Sequence, residues 1–306
     1  MSQGLRIGLI LHGVPGYSET FIWSKIKGLM SQGNSLSLFV SHYKKSSSIK
    51  VPISIYKQPD LSKRYLLPFI LFYLVCTHPI WVMKFINLER LSEINWFTII
   101  THLLINSHIL KQDLEWIHFE FATVGIYREN VARAMGIKSA VSFRGYDIGL
   151  YPYKHKGCYN LLWQTIDKVH TISDDLYKQA LIIGLNSDVI VEKITPAIDT
   201  KLFFSTENPG LHEPLRILSV GRLNWKKGFE YSLQALKELK EEKIDFEYRI
   251  VGKGHYKEAI IFSIHQLGLN NNVKLRGELS PEKVKKEMEW ADIYIFSPVF
   301  KRGFVM

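Results

Sequence analysis

Cysteine is nearly absent from this chain. Cys76 and Cys158 are the only two, too few and too isolated for a disulfide framework or a zinc site, and they fit a reducing compartment. Acidic side chains are also short in number: 29 Asp and Glu stand against 39 Lys and Arg, for a net charge of +10. That balance favours an anionic partner (nucleic acid, a phosphorylated ligand or an anionic membrane face) without choosing among them. There is no low-complexity tract and no short-period repeat, which excludes solenoid and linker-like architectures. The N-terminus lacks the charged-then-apolar layout of a signal peptide, because "LRIGLILHG" is too short and reads as a strand. The 17 Phe and 7 Trp form no basic-aromatic ladder of the kind that binds single-stranded nucleic acid, so they are assigned mainly to cores.

What is present is ordinary for a soluble cytoplasmic protein. The 306 residues are 46% hydrophobic and 22% charged, enough for about two domains with ample cores. Residues 65–83, "YLLPFILFYLVCTHPIWVM", stand out because they carry no Asp, Glu, Lys or Arg. Their length approaches the ~20 residues of a spanning helix, but Pro68 and the His78-Pro79 pair argue against a clean span. A buried helix pair of the first domain is the expectation. The alternative is an apolar surface resting on the inner face of a membrane, with Arg64 and Lys84 as basic flanks.

Strand-like runs alternate with helical patterns throughout. "LRIGLIL", "NSLSLFVS", "LEWIHFEF", "KSAVSFRG", "DKVHTIS" and "DVIVEKIT" read as strands. A helix follows Ser18, another fills "GIYRENVARAMG", and "DLYKQALIIG" is a third, capped by Ser173 or Asp174. The Pro/Gly/Asn-rich stretch around "STENPGLHEP" reads as a linker. After Pro214 the pattern restarts with the strands "LRILSVGRL", "FEYRIVG", "NVKLRGE" and "DIYIFSP". Between them lie helices, one with Phe229, Leu233, Leu236 and Leu239 on one face and one with Ser280 as N-cap and Pro281 at its first position. The alternation predicts an α/β protein with two Rossmann-like domains of parallel strands: residues 1–198, a linker over 199–214, and residues 215–306.

In open parallel sheets, ligands bind beyond the C-terminal ends of the strands. The residues at those ends are Gly13 to Glu19, Arg144 to Asp147, Gly221 with Arg222, Lys226 and Lys227, and Gly252-Lys253-Gly254. Two glycine loops and several cations therefore converge on strand ends, which suits a phosphorylated ligand. Lys227 adjoins a helix start, where free N–H groups and partial positive charge receive anions. Arg222 can grip phosphate oxygens in bidentate fashion. The plain alternative makes Lys226 and Lys227 a solvated helix start and Arg222 a surface ion-pair partner. The neighbouring Gly252-Lys253-Gly254 loop weighs against it. His118-Phe119-Glu120 places two polar side chains on one strand face, but a third metal ligand is not identifiable, so no metal is expected. Asp147, Asp174 and Asp175 are the residue type of caps and turns. Asp147 also follows Arg144 in a strand-end loop.

"ILSVGRLNWKKGFEYSLQALKEL", "YRIVGKGHYKEAI", "LGLNNNVKLRGELSPEKV" and "WADIYIFSP" resemble the donor-binding domain of the group 1 glycosyltransferases. These are the retaining enzymes of glycosyltransferase family four, with the GT-B fold. "GYSETFI", "IHFEFAT", "VSFRGYDI" and "VHTISDDL" are similar to members that build bacterial capsular and exopolysaccharides, colanic-acid-type enzymes among them, and "ITPAIDTKLF" resembles the segment joining the two domains. The resemblance implies two domains facing across a cleft and transfer of a sugar from a UDP- or GDP-sugar to a hydroxyl of a glycan or polyprenyl-linked acceptor, without metal or other cofactor. It assigns the donor diphosphate to Arg222 and Lys227, with Gly221, Gly252 and Gly254 beside them. The Gly13 to Glu19 loop, with Gly16 and Glu19, falls near donor and acceptor, and residues 275–278, ending in Glu278, near the base. Arg144 stands where many relatives carry a histidine. It stays protonated, so its implied role is electrostatic, with Asp147 in the same loop.

The sequence departs from that family at its end. Relatives carry an E-G-F-G loop after the strand "ADIYIFSP", and here Arg302 stands where its first glutamate is expected; a second glutamate would fall beyond Met306. The expectation is therefore an incomplete second domain with an unpaired sheet edge, either a truncated product or a fragment of an active enzyme. A non-catalytic remnant that binds only nucleotide or membrane is the other reading. A sugar-nucleotide epimerase and a nucleic-acid binder are weaker alternatives, the first lacking recognisable acid-base carboxylates and the second resting on net charge alone.

Overall fold

Strands buried on both faces read as unbroken apolar runs rather than alternating ones, and the run "IGLIL" behaves that way. In a computed structural model, which describes residues 4–16, 19–43, 52–198, 200–204 and 210–299, it forms the centre of β1 (Arg6–Gly13), with Ile7, Leu9, Ile10 and Leu11 buried. The chain divides into two units, Met1–Pro196 and Ala197–Val305.

The first unit contains a seven-stranded parallel sheet, ordered β3-β2-β1-β4-β5-β6-β7. Its other strands are β2 (Ser35–His42), β3 (Ser54–Lys57), β4 (Trp116–Phe119), β5 (Lys138–Phe143), β6 (Lys168–Thr171) and β7 (Ile190–Lys193). Between β1 and β2 runs α1 (Thr20–Ser31), and between β3 and β4 run α2 (Leu67–Thr77), α3 (Pro79–Leu91) and α4 (Trp96–Leu110). Short helices α5 (Ala122–Gly125) and α6 (Val131–Met135) precede β5. Then come α7 (Tyr146–Gly149), α8 (Tyr151–Lys154) and α9 (Asn160–Thr165), and α10 (Asp174–Ile182) follows β6. Two apolar layers hold this unit: Ile22 and Ile26 of α1 pack on Ile7, Leu9 and Leu11, while Phe85, Ile99, Leu103 and Leu110 pack on the opposite side with Ile10, Phe39 and Ile117.

The second unit has a four-stranded parallel sheet among the described residues, ordered β10-β9-β8-β11. It comprises β8 (Leu215–Val220), β9 (Phe246–Val251), β10 (Val273–Gly277) and β11 (Ile293–Tyr294), joined through α11 (Phe229–Glu241), α12 (Lys257–Gln266) and α13 (Pro281–Trp290). Phe229, Leu233 and Leu236 form the buried stripe of α11, and Leu239 packs at its margin. Asp292 ties the start of this unit to β11. Its carboxylate accepts from the Arg216 backbone N–H at 2.8 Å and pairs with the His212 ring at 2.6 Å.

Several sequence expectations need correction. Residues 65–83 do form a helix pair, but not a buried one: α2 buries only Leu74, and Phe69 and Phe72 are 71% and 72% exposed. The reason is that α4, not α2, supplies the layer against the sheet, burying nine of its residues. "GIYRENVARAMG" is not one helix: α5 ends at its Gly125 and α6 begins at Val131, with Tyr127 between them in a left-handed conformation (φ 67°). Gly136 closes α6 with φ 73°, as a left-handed C-terminal cap should. β3 lies in a stretch to which the sequence reading assigned no element. Ser173 is the N-cap of α10, its side chain accepting from Leu176 N–H. Ser280 precedes α13, without a side-chain cap bond, and Pro281 takes the first turn. Ser18, Asp199 and the segment from Phe300 through Arg302 to Met306 lie outside the described residues.

Candidate functional site

Strand order reverses beside β8 in the second unit: β9 and β10 lie to one side and β11 to the other. Such a switch point opens a crevice at the C-terminal ends of the strands. The loop after β8 fills it with Gly221, Arg222, Lys226 and Lys227. Lys227 adjoins the start of α11, as the sequence suggested, with Gly228 as its N-cap. Lys226 and Lys227 sit in a one-turn 3-10 segment, Trp225–Lys227, whose start is held by the Asn224 side chain accepting from Lys226 N–H at 3.0 Å. Gly228 follows with φ 65°, and a Cβ there would lie 1.8 Å from the Ser297 carbonyl oxygen. No other residue fits that position without displacing backbone.

Three loops are stitched together at this edge. Gly221 N–H donates to Val251 O at 2.9 Å, Leu223 N–H to Lys253 O at 3.1 Å, and Gly252 N–H to Gly277 O at 2.8 Å. The Lys227 side chain passes over Gly221, its Cδ and Cε 3.8 Å from where a Cβ on that glycine would be. Burial and the nearby Arg222 charge both hold the Lys227 ammonium below its usual range. The Arg222 guanidinium is therefore near enough for Lys227 to feel its charge. On the far side of the loop after β9, Lys253 Nζ lies 4.0 Å from Glu278 Oε2.

Sequence reading missed the fourth wall, residues 295–299 after β11. Ser219 Oγ donates to Ile295 O at 2.6 Å, Ser297 Oγ to Gly228 O at 2.8 Å, and Val299 N–H to Lys226 O at 3.1 Å. Phe296 places its ring 4.9 Å from Lys227 Nζ, within cation–π range. The signal available was Ser297-Pro298 directly after a strand, a turn that returns the chain towards its neighbour.

A second polar cluster occupies the first unit's switch point, between β1 and β4. Gly16 and Glu19 close the turn after β1: Glu19 Oε2 accepts from Gly16 N–H at 2.9 Å, and Glu19 N–H donates to Gly16 O at 3.0 Å. Tyr17 and Ser18 of that loop lie outside the described residues. At the end of β4, Glu120 is 0% exposed. Lys25 Nζ of α1 sits 2.6 Å from its Oε1, and Arg144 Nη2 at the end of β5 lies 3.4 Å from its Oε2. Burial alone would push the Glu120 carboxyl up, but the charges of Lys25 and Arg144, with the Lys25 hydrogen bond, hold it below the ordinary carboxylate range. For Lys25 the balance differs, since burial lowers its ammonium despite Glu120. The 2.6 Å contact favours the ionised pair.

Arg144 is itself buried, its guanidinium 3.9 Å over the Phe21 ring. Asp147 is buried too and orders the loop: its carboxylate accepts from the N–H groups of Arg144 (3.0 Å), Gly145 (2.9 Å) and Ala122 (3.1 Å). Behind them runs the row His118, Ser142, His170. His170 Nε2 meets the Ile194 carbonyl at 3.1 Å, so it carries the ring proton; Ser142 then donates to His170 Nδ1 (2.8 Å) and accepts from His118 Nε2 (2.7 Å). Burial lowers both imidazoles, His118 to about 3, so the row is neutral. Lys25 was also missed, although a lysine between Ile22 and Ile26 in an apolar helix stripe points to a buried partner.

The structure thus brings Gly221, Lys227, Gly252 and Gly254 together in one unit. It groups Gly16 with Glu19, and Arg144 with Asp147, in the other. Glu278 stands at the margin of the first group.

This pair of parallel α/β units has the GT-B fold of solved glycosyltransferases. Anabaena Alr3699/HepE in complex with UDP-glucose is similar over 97% of this chain and 76% of that one, with a TM-score of 0.66 and 14% identity. The lipopolysaccharide outer core galactosyltransferase WaaB is similar with a TM-score of 0.59 and 14% identity, over 97% of this chain and 75% of that one. Residues 203–300, within the second unit, match the family of glycosyl transferases group 1. The amylovoran biosynthesis glycosyltransferase AmsK of Erwinia amylovora is 29% identical over 192 residues, 62% of this chain and 47% of that protein. The putative colanic acid biosynthesis glycosyltransferase WcaL of Escherichia coli (strain K12) is 35% identical over 86 residues, 28% of this chain and 21% of that one. The chain spans about half the length, or less, of these curated relatives.

Proposed function

We propose that this protein is a glycosyltransferase that moves a sugar from a UDP- or GDP-sugar to a hydroxyl of a glycan or lipid-linked acceptor, with retention, in bacterial surface polysaccharide synthesis. The observation that carries this is the stitched loop cluster around Gly221, Lys227 and Gly252, where cations and bare glycine backbone meet at a strand-order switch. Similarity to proteins named for amylovoran and colanic acid synthesis supports the polysaccharide assignment. Neighbours solved with UDP and UDP-glucose support the donor class.

Arg222 and Lys227 hold the donor diphosphate in this reading, and Gly221, Gly252 and Gly254 let its oxygens approach the backbone. As the bond from the sugar to the diphosphate breaks, negative charge grows on the leaving phosphate. Cations fixed in place beforehand stabilise it without reorganising. The leaving phosphate takes the acceptor proton, as the resemblance implies for a front-face reaction. Glu278 lies on the base side. By the resemblance, Gly16 and Glu19 fall near donor and acceptor and Arg144 acts electrostatically, with Asp147 holding the Arg144 loop in register. A peripheral contact through residues 65–83 with the inner face of the cytoplasmic membrane accompanies a lipid-linked acceptor.

Incubation with a panel of UDP- and GDP-sugars and a lipid extract, followed by NMR of the product anomer, tests the reading. A product with the donor's anomeric configuration is expected. An inverted product contradicts retention, and absence of turnover from a chain that binds UDP or GDP contradicts transfer.

A further inference from the structure

Helices α2 and α3 carry apolar side chains on faces that nothing among the described residues covers. Phe69, Phe72, Tyr73, Ile80 and Met83 are exposed, and Phe97 at the start of α4 is 86% exposed. The three helices pack on one another, so these side chains belong to one helical layer. Monomeric proteins rarely leave contiguous apolar patches in water, and large ones mark interaction sites.

Charge indicates the occupant. Residues 61–88 contain no Asp or Glu but include Lys63, Arg64 and Lys84. Of the acids bordering it, Glu89 is buried against His102 and Asn130, while Asp60 and Glu93 stand exposed at its two ends. Apolar side chains flanked by cations, within a run free of Asp and Glu, complement an anionic lipid surface better than a protein surface of mixed sign. Length decides between lying on a bilayer and crossing it. α2 has 11 residues and α3 has 13, the pair is bent by 110°, and a spanning helix needs about 20 in line. Between α2 and α4 lies a cavity of about 390 Å³, walled by Leu66, Phe69 and Tyr73 with Lys111 among its lining.

We propose that α2, α3 and the start of α4 dock the protein on an anionic bilayer, the aromatic side chains entering the headgroup boundary and Lys63, Arg64 and Lys84 meeting lipid phosphates. The cavity takes one acyl chain, with Lys111 on its headgroup. This rests on the peripheral contact described under the proposed function and names its lipid; it is independent of the donor reaction.

Flotation of the full chain with vesicles of equal parts phosphatidylcholine and phosphatidylglycerol tests it, beside pure phosphatidylcholine vesicles. Phe69→Ser with Phe72→Ser, and separately Lys63→Glu with Arg64→Glu, are the variants; thermal unfolding and UDP titration report their folding. Flotation with the anionic vesicles is expected, and each variant should weaken it at least about tenfold while unfolding and UDP response stay as in the parent. Three results would overturn the proposal: no flotation of the parent, equal flotation of parent and variants, or equal binding to pure phosphatidylcholine. So would a parent dimer that Phe69→Ser with Phe72→Ser converts to monomer, since the surface would then meet a second copy of this chain.

Discussion

Gly252 presses its backbone against Gly221: a Cβ on Gly252 would stand 1.9 Å from the Gly221 carbonyl oxygen, and its φ of 147° is one that other residues rarely adopt. That contact sets the loop after β9 against the loop carrying the cations. Gly254 repeats it, with a Cβ there 2.0 Å from Leu223 O.

Gly252→Ala therefore combines a backbone clash with strain and should cost about 2–4 kcal/mol of stability in the second unit. Urea unfolding will show it. Nucleotide binding should fall even under conditions where the variant is folded, because Gly221 can no longer stay where Lys227 crosses it.

Glu120 neutralises two buried cations at once. Glu120→Ala leaves Lys25 and Arg144 facing each other without a counter-charge and should destabilise the first unit by about 3–5 kcal/mol. The folded carboxyl is held below its ordinary value of 4.5, so its contribution is complete above that pH and disappears as pH falls through the lowered folded value. Glu120→Gln should accordingly flatten the acid limb of the stability curve.

Glu129 works in the opposite sense. Burial raises its carboxyl from 4.5 to about 7, against the lowering by backbone hydrogen bonds at Glu129 and Tyr127, with smaller contributions from the charges of Glu89 (raising) and His102 (lowering). Its folded form prefers the proton, so stability is fully present below about pH 4.5 and is lost as pH rises through 7. Glu129→Gln should gain about 3 kcal/mol at mildly alkaline pH and almost nothing in acid. Thermal melts across that range will measure it.

Much of this architecture was legible in the residues. The strands of both sheets were visible because parallel strands buried on both faces must be apolar along their length, as in "IGLIL" and "RILSV". The loop from Gly221 to Gly228 was visible because its glycines and cations have no other reason to sit after a strand. The short edge strand β3 was not, since Ser54 and Lys57 are exposed and its pattern is that of a loop. The exposure of α2 was hidden as well: an apolar helix shows that something should cover it, not whether its own domain does. Lys25 and Glu120 stand 95 residues apart, and only the sheet register brings them together.

In the proposed reaction the Gly221–Gly228 loop binds the diphosphate of a nucleotide-sugar. Isothermal titration of the chain with UDP and with GDP, beside Arg222→Ala with Lys227→Ala, tests it most directly. One of the two nucleotides should bind, and the double variant should lose at least about a hundredfold, as expected for two charge-assisted contacts of about 1.5–3 kcal/mol each. A folded chain that binds neither nucleotide, or a double variant that binds as well as the parent, would contradict the account.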